Sequence, residues 1–78
     1  MRLNGEMYMY SKPDCIWCDR AETLLKQAGY QVIKMDITVD WSAREWFKDN
    51  GFKTVPQVYT EQSEYIGGYE DVKRWLEN

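Results

Sequence analysis

The sequence predicts an α/β domain in which a four-stranded mixed sheet carries three helices in the order β-α-β-α-β-β-α. Three observations lead there. Short aromatic and apolar runs alternate with stretches of helical spacing. Hydrophobic residues make up 44% of 78 residues, enough for one core over residues 1–78 and too few for two. No repeat, low-complexity run or linker divides the chain. Four Trp, six Tyr and two Phe supply the large buried area per residue that a domain this small needs.

The elements follow in order. Glu6-Met7-Tyr8-Met9-Tyr10 reads as a strand, closed by Ser11-Lys12-Pro13. Ala21, Leu24, Leu25 and Ala28 keep helical spacing, so a helix runs from near Cys15 to Ala28, with Gly29 as its left-handed C-terminal residue. Tyr30 to Ile37 is a second strand centred on Val32-Ile33. Ser42-Ala43-Arg44-Glu45 fits a capping box for a second helix. Trp46 and Phe47 form the apolar side of that helix, and Asn50-Gly51 ends it. Gln57–Thr60 and Glu64–Ile66 pair as a hairpin across Glu61-Gln62-Ser63. Gly67-Gly68 breaks the pattern before a last helix that carries Val72, Trp75 and Leu76. The first two strands call for a parallel pair with a right-handed crossover. The last two call for an antiparallel pair.

Composition removes whole classes of function. A net charge of −3 repels phosphates, so nucleic acid is not an expected partner. The chain has no His, which removes His-based triads, zinc fingers and metalloprotease motifs. Met1-Arg2-Leu3-Asn4-Gly5-Glu6 is polar, and no apolar run matches a signal peptide or a membrane span. The expectation is a cytoplasmic protein with no membrane partner, monomeric by default. Only two cysteines are present, where a small secreted domain would carry several disulfides.

Those cysteines, Cys15 and Cys18, sit at the strand-to-helix junction in Lys12-Pro13-Asp14-Cys15-Ile16-Trp17-Cys18. A C-x-x-C so placed reads as a thioredoxin-like redox motif. Attack on a disulfide needs a thiolate, and the unpaired N–H groups and dipole of a helix N-terminus favour one at Cys15. Lys12 adds positive charge, while Asp14 and Asp19 oppose it. Cys18 lies one turn further in, shielded and placed to resolve a mixed disulfide on Cys15. Cys15 is therefore the expected nucleophile and Cys18 the resolving thiol. Two structural alternatives are weaker. A static disulfide closing so short a loop adds little stability. A zinc site needs four ligands, and the chain has neither His nor further Cys to supply them, so no metal is expected.

Over nearly its full length the chain resembles the glutaredoxins. Tyr10-Ser11-Lys12 leads into Cys15-Ile16-Trp17-Cys18, Arg20-Ala21 and Leu24-Leu25 follow, Thr54-Val55-Pro56-Gln57-Val58 stands at the family's T-V-P segment, and Ile66-Gly67-Gly68-Tyr69 at its G-G segment. The resemblance implies a thioredoxin-like fold, a cis Pro56 that frees the Val55 backbone to pair with an extended peptide, and glutathione as the thiol partner and co-substrate. It implies that Lys12 and Lys53 hold the glycine carboxylate of glutathione. Val55 would pair with its cysteine backbone, with Thr54 flanking. Gly68 lets the ligand approach, and Tyr69 and Glu70 offer N–H groups to the γ-glutamyl carboxylate. Trp17 would form one wall. Glu70 and Asp71 already suit that helix start, so an anion there relies on backbone N–H groups. Ile16 and Trp17 replace the Pro and Tyr of the family's usual C-P-Y-C.

The leading reading is a glutathione-dependent thiol–disulfide oxidoreductase acting on protein disulfides, those of ribonucleotide reductase among the candidates, or on glutathione-mixed disulfides. Three others stand beside it. One is a glutaredoxin-like thioredoxin recycled by thioredoxin reductase. Another is a glutathione-ligated iron–sulfur cluster dimer, against whose commonest single-cysteine form Cys18 argues. The third is a structural adaptor, which leaves the cysteine pair unexplained.

Overall fold

The computed structural model describes residues 4–78; the Met1–Leu3 part of the polar start lies outside the described residues. Seven elements follow one another: β1 (Gly5–Ser11), α1 (Ile16–Gln27), β2 (Tyr30–Asp36), α2 (Trp41–Asp49), β3 (Gln57–Thr60), β4 (Tyr65–Gly67) and α3 (Tyr69–Glu77). They form one sheet in the order β2-β1-β3-β4. The β1–β2 pair is parallel, while β1–β3 and β3–β4 are antiparallel. This is the expected β-α-β-α-β-β-α mixed sheet.

Alternation along β1 divides the two faces of the sheet. Met7, Met9 and Ser11 are buried, and Met7 and Met9 join Val58 of β3 in a core shared with Cys18, Ala21 and Leu25 of α1 and Val72 of α3. The spacing of Cys18, Ala21 and Leu25 puts all three on one stripe of α1, which is why that helix lies down on the sheet. On the opposite face Tyr10 stacks on Trp46 of α2 at 4.7 Å with the planes 4° apart, and Trp46 meets Tyr59 edge-on at 5.3 Å. Tyr10, Trp46, Phe47, Phe52 and Tyr59 thus form an aromatic cluster under α2.

Most boundaries fall where chain-local chemistry puts them. Gly29 has φ +92 just beyond the α1 cap Ala28, and Gly51 has φ +77 beyond the α2 cap Asn50. One expectation is corrected. The cap of α2 is Asp40 and not Ser42: the Asp40 carboxylate accepts the Ala43 N–H at 3.0 Å, which places Ser42 inside the first turn. Starting two residues earlier completes the turn from Asp36, whose carbonyl accepts the Asp40 N–H at 2.9 Å. The hairpin strand is also one residue later than expected, at Tyr65–Gly67, because the Glu64 N–H is turned to the Thr60 hydroxyl and a bulge shifts the register at Val58/Tyr59.

One ion-pair cluster ties α1 to the sheet. Glu22 holds Lys26 at 2.7 Å and Lys34 of β2 at 3.1 Å, with only 15% of its own side chain exposed. The hydrogen bond from Lys26, aided by Lys34, keeps the Glu22 carboxyl below the usual carboxylate range against the opposing effect of burial. A lowered folded-state pKa stabilises the protein above the unfolded value of about 4.3, and that contribution disappears as pH falls through the folded value. Glu22→Gln is therefore expected to lower stability at neutral pH and to flatten the loss below about pH 4.3. Urea midpoints from pH 7 down to pH 3 measure this; a variant whose midpoint stays parallel to the wild type throughout excludes it.

Candidate active site

The chain leaves β1 at Ser11 and reverses through Pro13 and Asp14, where Asp14 takes φ +57. That turn delivers Cys15 to the head of α1 as its N-cap, in extended geometry (φ −109, ψ 101), and the Cys18 N–H donates to Cys15 Sγ at 3.1 Å. A sulfur therefore occupies the position that Ser or Asp oxygens take at ordinary helix starts. The two sulfurs are joined in a disulfide with the Cα atoms 5.2 Å apart, so this is the oxidised form. Cys15 is 8% exposed and Cys18 3%.

The Thr54-Val55-Pro56 segment approaches this pair from the other side, with the Val55–Pro56 bond cis. The Val55 carbonyl oxygen lies 3.9 Å from Cys15 Sγ. In the disulfide that sulfur carries no proton to donate. In the dithiol the Cys15 S–H can donate to the carbonyl, whereas a thiolate there faces the negative end of the carbonyl dipole.

Beside the cysteines opens a groove of about 390 Å³. Of the residues singled out in the sequence, Trp17, Thr54, Val55, Pro56, Gly68, Tyr69 and Glu70 line it; Lys12 and Lys53 do not. Lys12 is exposed in the turn after β1. Lys53 lines a separate cavity with Ile37, Arg44 and Phe47. Sequence reading missed three lining residues: Gln57, Tyr65 and Asp71. In the sequence Gln57 stands within the T-V-P run and as the first residue of a hairpin strand. Tyr65 stands there as a strand residue and Asp71 as a helix-start charge.

The far wall is the start of α3. Gly67 has φ +126, and a Cβ there would overlap the Asp71 carboxylate, so this position admits glycine alone without rearrangement. Asp71 accepts the Gly68 N–H at 3.1 Å and holds Arg74 at 2.9 Å. One acidic side chain thus occupies the entry to the helix, while the first-turn N–H groups of Tyr69 and Glu70, like those of any helix, have no intrahelical acceptor. Tyr69 also packs on Trp17 with ring centroids 5.2 Å apart, and the Arg20 guanidinium covers the Trp17 ring at 4.8 Å. Trp17, although 46% exposed, is thus held by two contacts.

The Glutaredoxin family model matches residues 7–65, from β1 to the first residue of β4. The chain belongs to the glutaredoxin family. It is 34% identical over 65 residues to glutaredoxin 3 of Escherichia coli, an alignment that covers 82% of this chain and 77% of the relative. The solution structure of a glutaredoxin from Brucella melitensis superposes with a TM-score of 0.73 at 27% identity, covering 92% of this chain and 78% of that one. A buckwheat glutaredoxin–glutathione complex superposes with a TM-score of 0.66 at 30% identity, covering 87% and 64%. The fold is thus the thioredoxin fold of glutaredoxins. A glutaredoxin with a Cys-x-x-Cys pair is a thiol–disulfide oxidoreductase by family, and glutaredoxins use glutathione as reductant.

Proposed function

We propose that this glutaredoxin reduces protein disulfides and glutathione-mixed disulfides at the expense of glutathione. The observation that supports this most directly is the groove beside the disulfide, flanked by the Val55 backbone on one side and the α3 N-terminus on the other. Its two walls suit an extended anionic peptide: backbone pairing at Val55 and first-turn N–H groups at Tyr69 and Glu70 for a carboxylate. The buckwheat neighbour is a glutathione complex, and this chain's groove is read by analogy with it.

In the proposed cycle the Cys15 thiolate attacks a substrate disulfide. One sulfur of the substrate leaves as a thiol after taking a proton, and Cys15 is left in a mixed disulfide. Cys18 then attacks Cys15 Sγ, closes the Cys15–Cys18 disulfide and releases the second substrate thiol. Two glutathione molecules restore the dithiol and leave as glutathione disulfide, so the two electrons balance. Substrates would be disulfide-containing proteins, ribonucleotide reductase among them, met by a monomer in a reducing, cytoplasmic compartment.

Lys12 and Lys53 enter this proposal as attraction from a distance, since neither lines the groove. Glutathione is a net anion and the protein carries −3, so local positive charge matters. Replacing both by Ala is expected to raise the KM for glutathione several-fold at low salt. The difference should close at about 1 M salt, where the Debye length falls to roughly 3 Å. A salt-independent KM change is incompatible with this role.

The position of the two lysines also favours a second reading, in which thioredoxin reductase recycles the protein. Turnover of a glutathione-mixed disulfide, driven either by glutathione with glutathione reductase or by thioredoxin reductase, separates the two. Activity with the second system alone overturns the glutathione reading.

A further inference from the structure

Gln57 is 8% exposed, yet its amide is satisfied at both ends. Its Nε2 donates to the Thr54 carbonyl at 3.0 Å, and its Oε1 accepts from the Tyr65 hydroxyl at 2.6 Å. The orientation is forced. A backbone carbonyl only accepts, so the amide nitrogen must face Thr54, the amide oxygen must face Tyr65, and the phenol must be the donor. Tyr65 on β4 pairs with Tyr59 of β3, two residues along from Gln57, and its ring is fixed by Tyr59 at 5.2 Å and Phe52 at 5.5 Å. Although the residue is 49% exposed, its hydroxyl is committed inward.

The bonded chain runs from the hairpin to the loop that faces the cysteines. Thr54 immediately precedes Val55, whose carbonyl stands 3.9 Å from Cys15 Sγ. Both Gln57 and Tyr65 also line the groove. We propose that Tyr65 and Gln57 are positioning residues that set the Thr54–Val55 backbone for pairing with a disulfide-linked peptide, and so control how tightly the substrate is held. This deepens the function proposed above and rests on it. Desolvation, with Asp71 and Tyr59 adding to it, pushes the Tyr65 phenol above its ordinary value, so it remains a donor across the neutral range.

Tyr65→Phe removes one hydroxyl and keeps the ring. A net hydrogen bond is worth about a two- to tenfold change in an equilibrium. The KM for a glutathione-mixed peptide disulfide is expected to rise by about that factor, with kcat within about twofold. Alkylation of reduced Cys15 by iodoacetamide, which needs no backbone pairing and feels only the Val55 carbonyl at 3.9 Å, should change by much less than KM. Gln57→Leu should raise KM at least as far, and adding Tyr65→Phe to it should add nothing, because both act through one chain of bonds. Amide hydrogen exchange at Thr54 and Val55 should speed up in Tyr65→Phe, a readout that needs no substrate. An unchanged KM, a fall in kcat alone, an alkylation rate that changes in step with KM, or additive effects of the two substitutions would each overturn the assignment. If the wild type reduces no disulfide with either recycling system, the functional reading fails; unaltered exchange at Thr54 and Val55 in Tyr65→Phe rejects the positioning chain by itself.

Discussion

Cys15→Ser is expected to abolish thiol exchange, whereas Cys18→Ser keeps turnover of glutathione-mixed disulfides. The asymmetry comes from position on α1. Cys15 is the cap: its sulfur receives the Cys18 N–H at 3.1 Å and stands at the positive end of the helix dipole. Cys18 is one turn in, within the core that includes Met9, Ala21 and Val58, and is the less exposed of the two. The helix start favours a thiolate at Cys15 against the opposing Val55 carbonyl, Cys18 has no such placement, and an incoming disulfide meets Cys15 first. Removing that nucleophile should lower the rate by more than about 10³-fold, since the remaining cysteine, Cys18, is shielded in the core. Removing Cys18 leaves the first attack intact, and free glutathione can resolve the mixed disulfide in its place. Protein disulfides that require the second thiol should lose turnover in Cys18→Ser. Stopped-flow alkylation of the reduced protein near pH 7 gives the check, with Cys15 modified well before Cys18. Equal labelling, or a Cys15→Ser variant that still turns over, would remove the role assignment.

Leu25→Ala carries the largest expected cost in stability. Leu25 is fully buried in the cluster where α1 meets the sheet and α3, in company with Met7, Met9, Val58 and Val72. Truncating such a side chain loses its transfer free energy and leaves a cavity, about 2–5 kcal/mol in all. A chain of this length unfolds with a free energy in the lower part of the usual 5–15 kcal/mol range, so that loss is a large fraction of the total. Each kcal/mol shifts the midpoint of a domain this size by roughly 4–8 °C, so Tm should fall by roughly 8–40 °C. Leu25→Met conserves volume and should cost less than about 1.5 kcal/mol. Both cysteines sit at the start of this helix in the same core cluster, so at temperatures where the variant begins to unfold both should become more accessible together. Thermal unfolding of both variants decides; a shift of only a few degrees in Leu25→Ala would mean that the core around Leu25 collapses to fill the space.

Much of this molecule is decided by interactions that stay local in the chain, and these the sequence alone determines. The stripe Cys18-Ala21-Leu25, the alternation through Met7 and Met9, the breaks at Gly29 and Gly51 and the strand-to-helix placement of Cys15 need only neighbours within a few residues. The order of elements and the redox pair follow from them, and with the T-V-P and G-G segments they were enough to indicate the family. Choices between near-equal local options were settled in three dimensions. Asp40 and Ser42 both offer a cap for α2, and the turn after β2, which hydrogen-bonds Asp40 to Asp36, selects the earlier one. Lys12 and Lys53 flank the right segments in the chain, yet neither lines the groove, because being next to a segment in sequence does not set where a long side chain stands relative to its far side. Gln57 and Tyr65 are the converse case. They lie eight residues apart on opposite strands of a bulged hairpin, so only the register of that hairpin brings a phenol to an amide and the amide to the Thr54 carbonyl. Hydrogen bonds of that kind depend on strand pairing and not on spacing, which is why the groove's outline was legible from residue order and the bonds that hold its floor were not.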